Sequence, residues 1–364
     1  DFASFQEIVM PAFAERRDPG DMDLHLPEQG ILLGDLANFT AKTISDDILR
    51  LCAYIKTKTQ GRTLTCVYYG YYNMITVTHW AQGSGHWALS RILDSAVVDM
   101  IQSPSTYNKR GAGEPGGFMP PESAIRLKGK VFITESDIRT HHSTSPLGLC
   151  KDLYESRGVL EREFGACLAS NTAFRFYDFS LGWTFGDSRL AHLASIFSQA
   201  EKEILKARPR IQAPEDAIAV VISESAMPLL NYHSPLLSLL VAHQYRHFPR
   251  TGIPFNIYIT PGLESIPLQH RFWFFESPIR MSREEIEYVK ANVLKPGNTV
   301  VFLYGTNVLT EEGLSTKTLE ELTGMEFQTD TVRSAATARL TEEGIEVLGN
   351  PMEEASLEEY EFAP

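Results

Sequence analysis

Residues 130–140 read KVFITESDIRT. Val131, Phe132, Ile133 and Thr134 are β-branched or aromatic, the residue types that fill a strand buried on both faces. At Glu135 the apolar run stops and charge begins, with Asp137 and Arg139 close behind. A charge at the carboxyl end of a buried strand is costly without partners, and α/β enzymes place their chemistry at that position. The plain alternative is a solvated strand end with a local ion pair.

Working outward, the same motif recurs. TISDDILRLCAYIKTKT places Ile44, Ile48, Leu51, Cys52 and Ile55 on one helical face, with Ser45 as the expected N-cap and Gly61 just beyond the end. Strands are expected at 64–72, 97–103, 130–136 and 173–179. Helical stretches at GHWALSRILDS, SRGVLEREFGACLAS and RLAHLASIFSQAEKEILKA alternate with them. This alternation predicts an α/β chain with βαβ units and a parallel sheet. Each strand ends in polar or aromatic residues: Tyr71 and Tyr72, Ser103 with Tyr107, Glu135 with Asp137, and Asp178. A (β/α) barrel enzyme requires such residues on its upper rim.

The prolines and charges of RPRIQAPEDA mark a linker at 208–214. Beyond it AIAVVIS, IPFNIYI, RFWFFES and NTVVFLYG are four further strands, with helical stretches between some of them. They predict a second, doubly wound domain over 215–345. Residues 346–364 form an acidic tail, and the turn-rich first thirty residues are expected to be a loop or insertion within the first domain, 1–207.

Composition is that of an ordinary globular protein, 43% hydrophobic and 22% charged. A net charge of −13 argues against a nucleic-acid partner or an anionic membrane surface, which are bound through clustered Lys and Arg. A neutral substrate such as carbohydrate is compatible with it. No apolar run approaches the roughly 20 residues of a membrane span. Cys52, Cys66, Cys150 and Cys167 lack ligand spacing and are expected to be buried free thiols. The chain opens DFASFQEIVM, without an initiating Met or a signal-like segment, so its start is expected to be an artificial or cleavage boundary, and compartment is not legible.

The ordered blocks YYGYY, SGHWALSRILDS, VDMIQSPSTYNKRGAGEPGGFMPPESAIRLKGK, ITESDIRTH, GWTF and IAVVISES resemble the β-galactosidases of glycoside hydrolase family 42 over roughly residues 1–325. The resemblance implies the second half of a (β/α)₈ barrel, strands five to eight, followed by a flavodoxin-like domain that mediates trimer formation. It places Glu135 at the position of the catalytic nucleophile. A retaining glycosidase needs there an ionised carboxylate facing a protonated partner roughly 5–5.5 Å away. Asp137 and Arg139 would hold Glu135 ionised, and Tyr107 would donate a hydrogen bond to it. The family's general acid lies at the end of strand four in an Asn-Glu pair, and no such pair is found here. The expectation is therefore a nucleophile without its acid, with the missing barrel half supplied by another chain, a second copy or the N-terminal residues. The rival expectation is a non-catalytic carbohydrate-binding or oligomerisation module.

Among the aromatic residues, Tyr71 and Trp183 are the preferred sugar platforms, while Tyr69, Tyr72, Trp80 and Trp87 are more often core. Asp178, at the end of the fourth strand, completes the expected substrate-contacting set with Tyr71, Tyr107, Asp137, Arg139 and Trp183. His86, His141 and His142 are candidates for bonding sugar hydroxyls. No metal is expected, because the adjacent His141 and His142 lack a third ligand at sequence spacing. No cofactor is expected either: GAGEPGG lacks the Lys-Ser/Thr of a phosphate loop, and VISESAM lacks a dinucleotide fingerprint. No cysteine follows Cys167, which excludes an amidotransferase-like nucleophile. RFWFFES and NYHSPLLSLL could present apolar surface to a symmetric neighbour, or be core.

Overall fold

The computed structural model describes residues 24–25, 31–75, 83–107, 109–178, 182–207, 217–231, 234, 236–310 and 312–327. The expected N-terminal loop before Leu24, Trp80, the 208–214 linker and the acidic tail lie outside these. Asp1–Met325 form one compact unit, which holds every described strand and helix, and Glu326–Pro364 form another.

The chain is α/β, built on two parallel four-stranded sheets. In the first, β1 (Cys66–Tyr68), β2 (Met100–Pro104), β3 (Val131–Ser136) and β4 (Ala173–Phe176) lie side by side in chain order. In the second, β5 (Ile218–Ser223), β6 (Phe255–Thr260), β7 (Phe272–Phe275) and β8 (Thr299–Phe302) take the order β6-β5-β7-β8, so the winding reverses between β5 and β7. Among the described residues, no helix is long and apolar enough to cross a membrane.

Three helical segments precede β2 and two more lie between β2 and β4. Of these, α1 (Ile31–Lys58) is the long N-terminal helix, and it begins well before the expected cap. Ser45 lies inside it and donates to the Lys42 carbonyl at 2.9 Å, while Gly61 ends the segment in a left-handed turn at φ +72°. A short turn of helix at Tyr72–Ile75, α2, follows β1. Then come α3 (Leu89–Asp94) and α4 (Glu122–Leu127), and after β3 the two longer helices α5 (Leu153–Ala169) and α6 (Ser188–Ala207).

Among the described residues, helices stand on one face of the first sheet. Phe132 and Ile101 on that face are buried, and α5 and α6 cover its β3–β4 end through Leu160, Phe164, Leu190, Leu193 and Phe197. Asp152 starts α5 by accepting a hydrogen bond from the Glu155 backbone N–H at 2.9 Å. The register pairs Tyr68 with Gln102 and Glu135 with Arg175, so these four point to the opposite face. There Cys66 is exposed, and Tyr68 and Val131 are 46% and 49% exposed. This corrects two readings: β3 is not buried on both faces, since its Val131 stands exposed, and Cys66 is not a buried thiol.

The second sheet is covered on both faces, and every residue of β5 is buried. Ile218, Val220 and Ile222 join a core that continues through α3 and α4 to Ile101 and Phe132, so the two sheets share one interior. Ala219 and Val221 pack on the other side with Trp273, Phe275, Val289 and Val293. Each such fully buried aliphatic or aromatic side chain contributes roughly 1.5–3 kcal/mol. Trp273, Phe275, Leu237 and Leu240 are thus core, and RFWFFES and NYHSPLLSLL are explained by packing. Gly117, in the glycine-rich loop after β2, has φ +136°, and a Cβ there would lie 2.3 Å from the Tyr245 hydroxyl. That loop needs glycine because the second sheet's helical layer presses on it.

Candidate functional site

Strand β3 delivers Glu135 to the open face, and the neighbouring strands surround it. Gln102 of β2 donates its amide to Glu135 Oε2 at 2.9 Å and to the Tyr68 hydroxyl at 2.7 Å. Tyr68 of β1 donates its hydroxyl to the same oxygen, and the Arg175 guanidinium of β4 stands 3.5 Å away. Burial and the adjacent Glu135 push the Tyr68 phenol up to about 12, so it stays a donor. All three partners thus converge on Oε2; among the described residues Oε1 takes no hydrogen bond. The Glu135 side chain is 8% exposed, whereas that of Arg175 is 49% exposed.

Tyr71 packs beside this group. Its phenol is raised by burial first, then by Tyr68 and Glu135. Its ring lies 4.5 Å from that of His86. Burial holds His86 neutral, down to about 4, and its Nδ1 accepts the Gly70 backbone N–H at 3.0 Å. This fixes the tautomer with a proton on Nε2.

Asp137, Arg139, Tyr107 and Trp183 belong to a second cluster. Asp137 is wholly buried and pairs with Arg110 at 2.6 Å and Arg139 at 2.9 Å. The Tyr107 hydroxyl donates to Asp137 at 3.2 Å, not to Glu135; burial and Asp137 raise it to about 12. Arg110 lies over the Tyr107 ring and Arg139 over that of Trp183, at 4.6 and 4.8 Å. This network braces the loop after β3, with two guanidiniums set on one carboxylate. Asp178 accepts the Thr184 and Phe185 backbone N–H groups at 3.0 and 3.1 Å, an anchor for the loop that carries Trp183.

The structure therefore brings Tyr71 near Glu135, gathers Tyr107, Asp137, Arg139 and Trp183 into a separate brace, and gives Asp178 a loop-holding role. Sequence reasoning passes over Tyr68, Gln102, Arg175 and Arg110. Three of them carry a legible signal: Tyr68, Gln102 and Arg175 interrupt apolar strands with the two-residue period that sets one face. Among the described residues, no other carboxylate bonds to Tyr68, Gln102 or Arg175.

Two other features stand apart. A groove of about 860 Å³, lined by Ser225, Gly262, Arg280, Arg283, Glu284 and Tyr288 among others, opens at the carboxyl ends of β5 and β6. Its mixed charges favour neither sign of ligand. Among the described residues one trio, His141, His142 and Asp187, gathers metal-ligand atoms within 4.8 Å of one another. No protein-family model matches the chain, and no curated protein is significantly similar to it.

Proposed function

We propose that the chain is part of a retaining β-glycosidase of the β-galactosidase type, with Glu135 as its nucleophile. In this reading the first sheet is strands five to eight of a (β/α)₈ barrel and the second a flavodoxin-like domain. The chain-order arrangement of β1–β4 and the β6-β5-β7-β8 reversal support it. The observation that carries the proposal is the asymmetry at Glu135: three donors hold Oε2, and among the described residues none holds Oε1. A carboxylate that attacks an anomeric carbon needs one oxygen oriented and the other unencumbered.

Among the described residues no second carboxylate joins this cluster, and without an acid to assist the leaving group turnover of natural glycosides would fall by ~10²–10⁴. The exposed face bearing Cys66, Tyr68 and Val131 is where the remaining barrel strands would pack. A homo-oligomer, trimeric by the same resemblance, belongs to the reading and is tested by light scattering.

An activated 2-deoxy-2-fluoro-β-galactoside tests the nucleophile without acid assistance, because its leaving group departs unaided. The expected result is one fluorohexosyl ester on the peptide containing Glu135, found by mass spectrometry and absent from Glu135→Gln. Label on another residue, or label that persists in Glu135→Gln, refutes the assignment. Saturable sugar binding with no label at all assigns the chain instead to the non-catalytic carbohydrate-binding reading.

A further inference from the structure

We propose that His141, His142 and Asp187 form a three-ligand site for a divalent metal ion of the zinc class, joining the loop after β3 to the start of α6. Adjacent residues seldom chelate one ion because an extended backbone points their side chains apart. Here His141 and His142 occupy a turn, and their rings lie side by side with centroids 3.9 Å apart. Both Nε2 atoms approach the same oxygen, Asp187 Oδ2, at 3.9 and 3.1 Å. A tetrahedral zinc with ligands at about 2.0–2.1 Å sets neighbouring ligand atoms about 3.3 Å apart. The observed spacings bracket that value, and His142, whose side chain is 41% exposed, has room to rotate and close the remainder.

The surroundings orient each ligand. Ser156 Oγ donates its proton to the Asp152 carbonyl at 2.8 Å, so toward His141 Nδ1, 2.9 Å away, it accepts. That fixes His141 with its proton on Nδ1 and a lone pair on Nε2, the arrangement in which a histidine serves as ligand while its other nitrogen is held by a neighbour. Asp187 Oδ1 accepts the Arg189 backbone N–H at 2.9 Å, which turns Oδ2 toward the histidines. The Arg189 guanidinium also reaches Oδ2, at 2.7 Å, but its side chain is 62% exposed and can yield that oxygen to a doubly charged ion. Two histidines and one carboxylate leave a fourth position for water. Solvent reaches it along the exposed side of His142.

Calorimetric titration of the chelator-treated full chain with Zn²⁺ tests the site, with Co²⁺ as a spectroscopic stand-in. The expected result is one equivalent bound at micromolar affinity or tighter and a tetrahedral Co²⁺ absorption band. His142→Ala and Asp187→Asn should each weaken binding about tenfold or more. His247→Ala removes one of a histidine pair, His243 and His247, on a separate helical segment with ring centroids 6.0 Å apart, and should change nothing. Circular dichroism establishes that each variant is folded; should Asp187→Asn fail to fold, the exposed His142 carries the test alone. Absence of binding, binding indifferent to His142→Ala, or binding lost in His247→Ala overturns the proposal.

Discussion

Glu224 gives the most quantitative handle on how the two sheets are joined. It follows β5 and is fully buried. Its Oε2 accepts the Tyr72 hydroxyl at 2.6 Å and the Ser90 backbone N–H at 3.1 Å, and Oε1 lies 2.5 Å from Ser90 Oγ. Tyr72 and Ser90 come from the first sheet's connections, so this carboxyl ties the two halves together. Burial raises it from 4.5 to about 7, although its hydrogen bonds oppose the rise. The folded chain then keeps a proton that the unfolded chain has released. Its contribution to stability is fully present below about pH 4.5 and is lost as pH rises through about 7. Between pH 5 and pH 8 the loss is about 2.5 kcal/mol. Glu224→Gln replaces the protonated carboxyl with a neutral group of the same shape, able to accept at one end and donate to Ser90 at the other. Urea unfolding of both proteins at pH 5 and pH 8 provides the assay. Glu122, Glu163 and Glu276 are raised by burial too, whereas buried His86 and His270 are lowered and gain stability over the same window, so the difference between the two proteins, not the wild-type slope, reports Glu224. The variant should lose about 2.5 kcal/mol less. A variant that keeps the full wild-type pH dependence sinks the assignment to Glu224.

Two further substitutions probe the loops. Asp137→Ala leaves Arg110, whose side chain is 0% exposed, without its partner; a loss of about 3–5 kcal/mol is expected in urea unfolding, and a loss under about 1 kcal/mol would show the brace to be dispensable. Gly117→Ala meets the Tyr245 hydroxyl at 2.3 Å, whereas Gly129→Ala, also at positive φ, meets nothing within 4 Å. Gly129→Ala should cost about 1 kcal/mol from backbone strain alone, and Gly117→Ala about 1–3 kcal/mol more. Equal losses, compared by thermal unfolding, would remove the clash from the account.

The positions of the eight strands are legible because each is a short β-branched or aromatic run between helical or turn signals. Their ends are not: the run at 64–72 keeps its strand residues, yet only Cys66–Tyr68 pair with β2, since Gly70 turns the backbone at φ +80° over Leu89. Helix length is hidden for a similar reason. Ser45 is a good cap residue locally, but α1 is held by its buried positions Ala37 and Ala41, which lie before it, and tertiary packing overrides a local preference. Burial on one face or both is a property of the neighbours, which a strand's own residues do not encode. An apolar Val131 therefore reads as core and proves 49% exposed.

The division of labour at the end of β3 follows from the same alternation. Residues 135 and 137 share a parity, so a straight strand would send both carboxylates to the open face. The strand ends at Ser136, and the chain then turns Asp137 inward to Arg110 and Arg139. Once inside, Asp137 is met by two guanidiniums and a phenol, which offset the cost of burying it, and those same contacts occupy both of its oxygens. Glu135, still on the strand, is met by described residues on one oxygen alone. The residue best furnished with charged partners is thus the one least able to react, and the reactive candidate is the carboxylate whose second oxygen takes no hydrogen bond among the described residues.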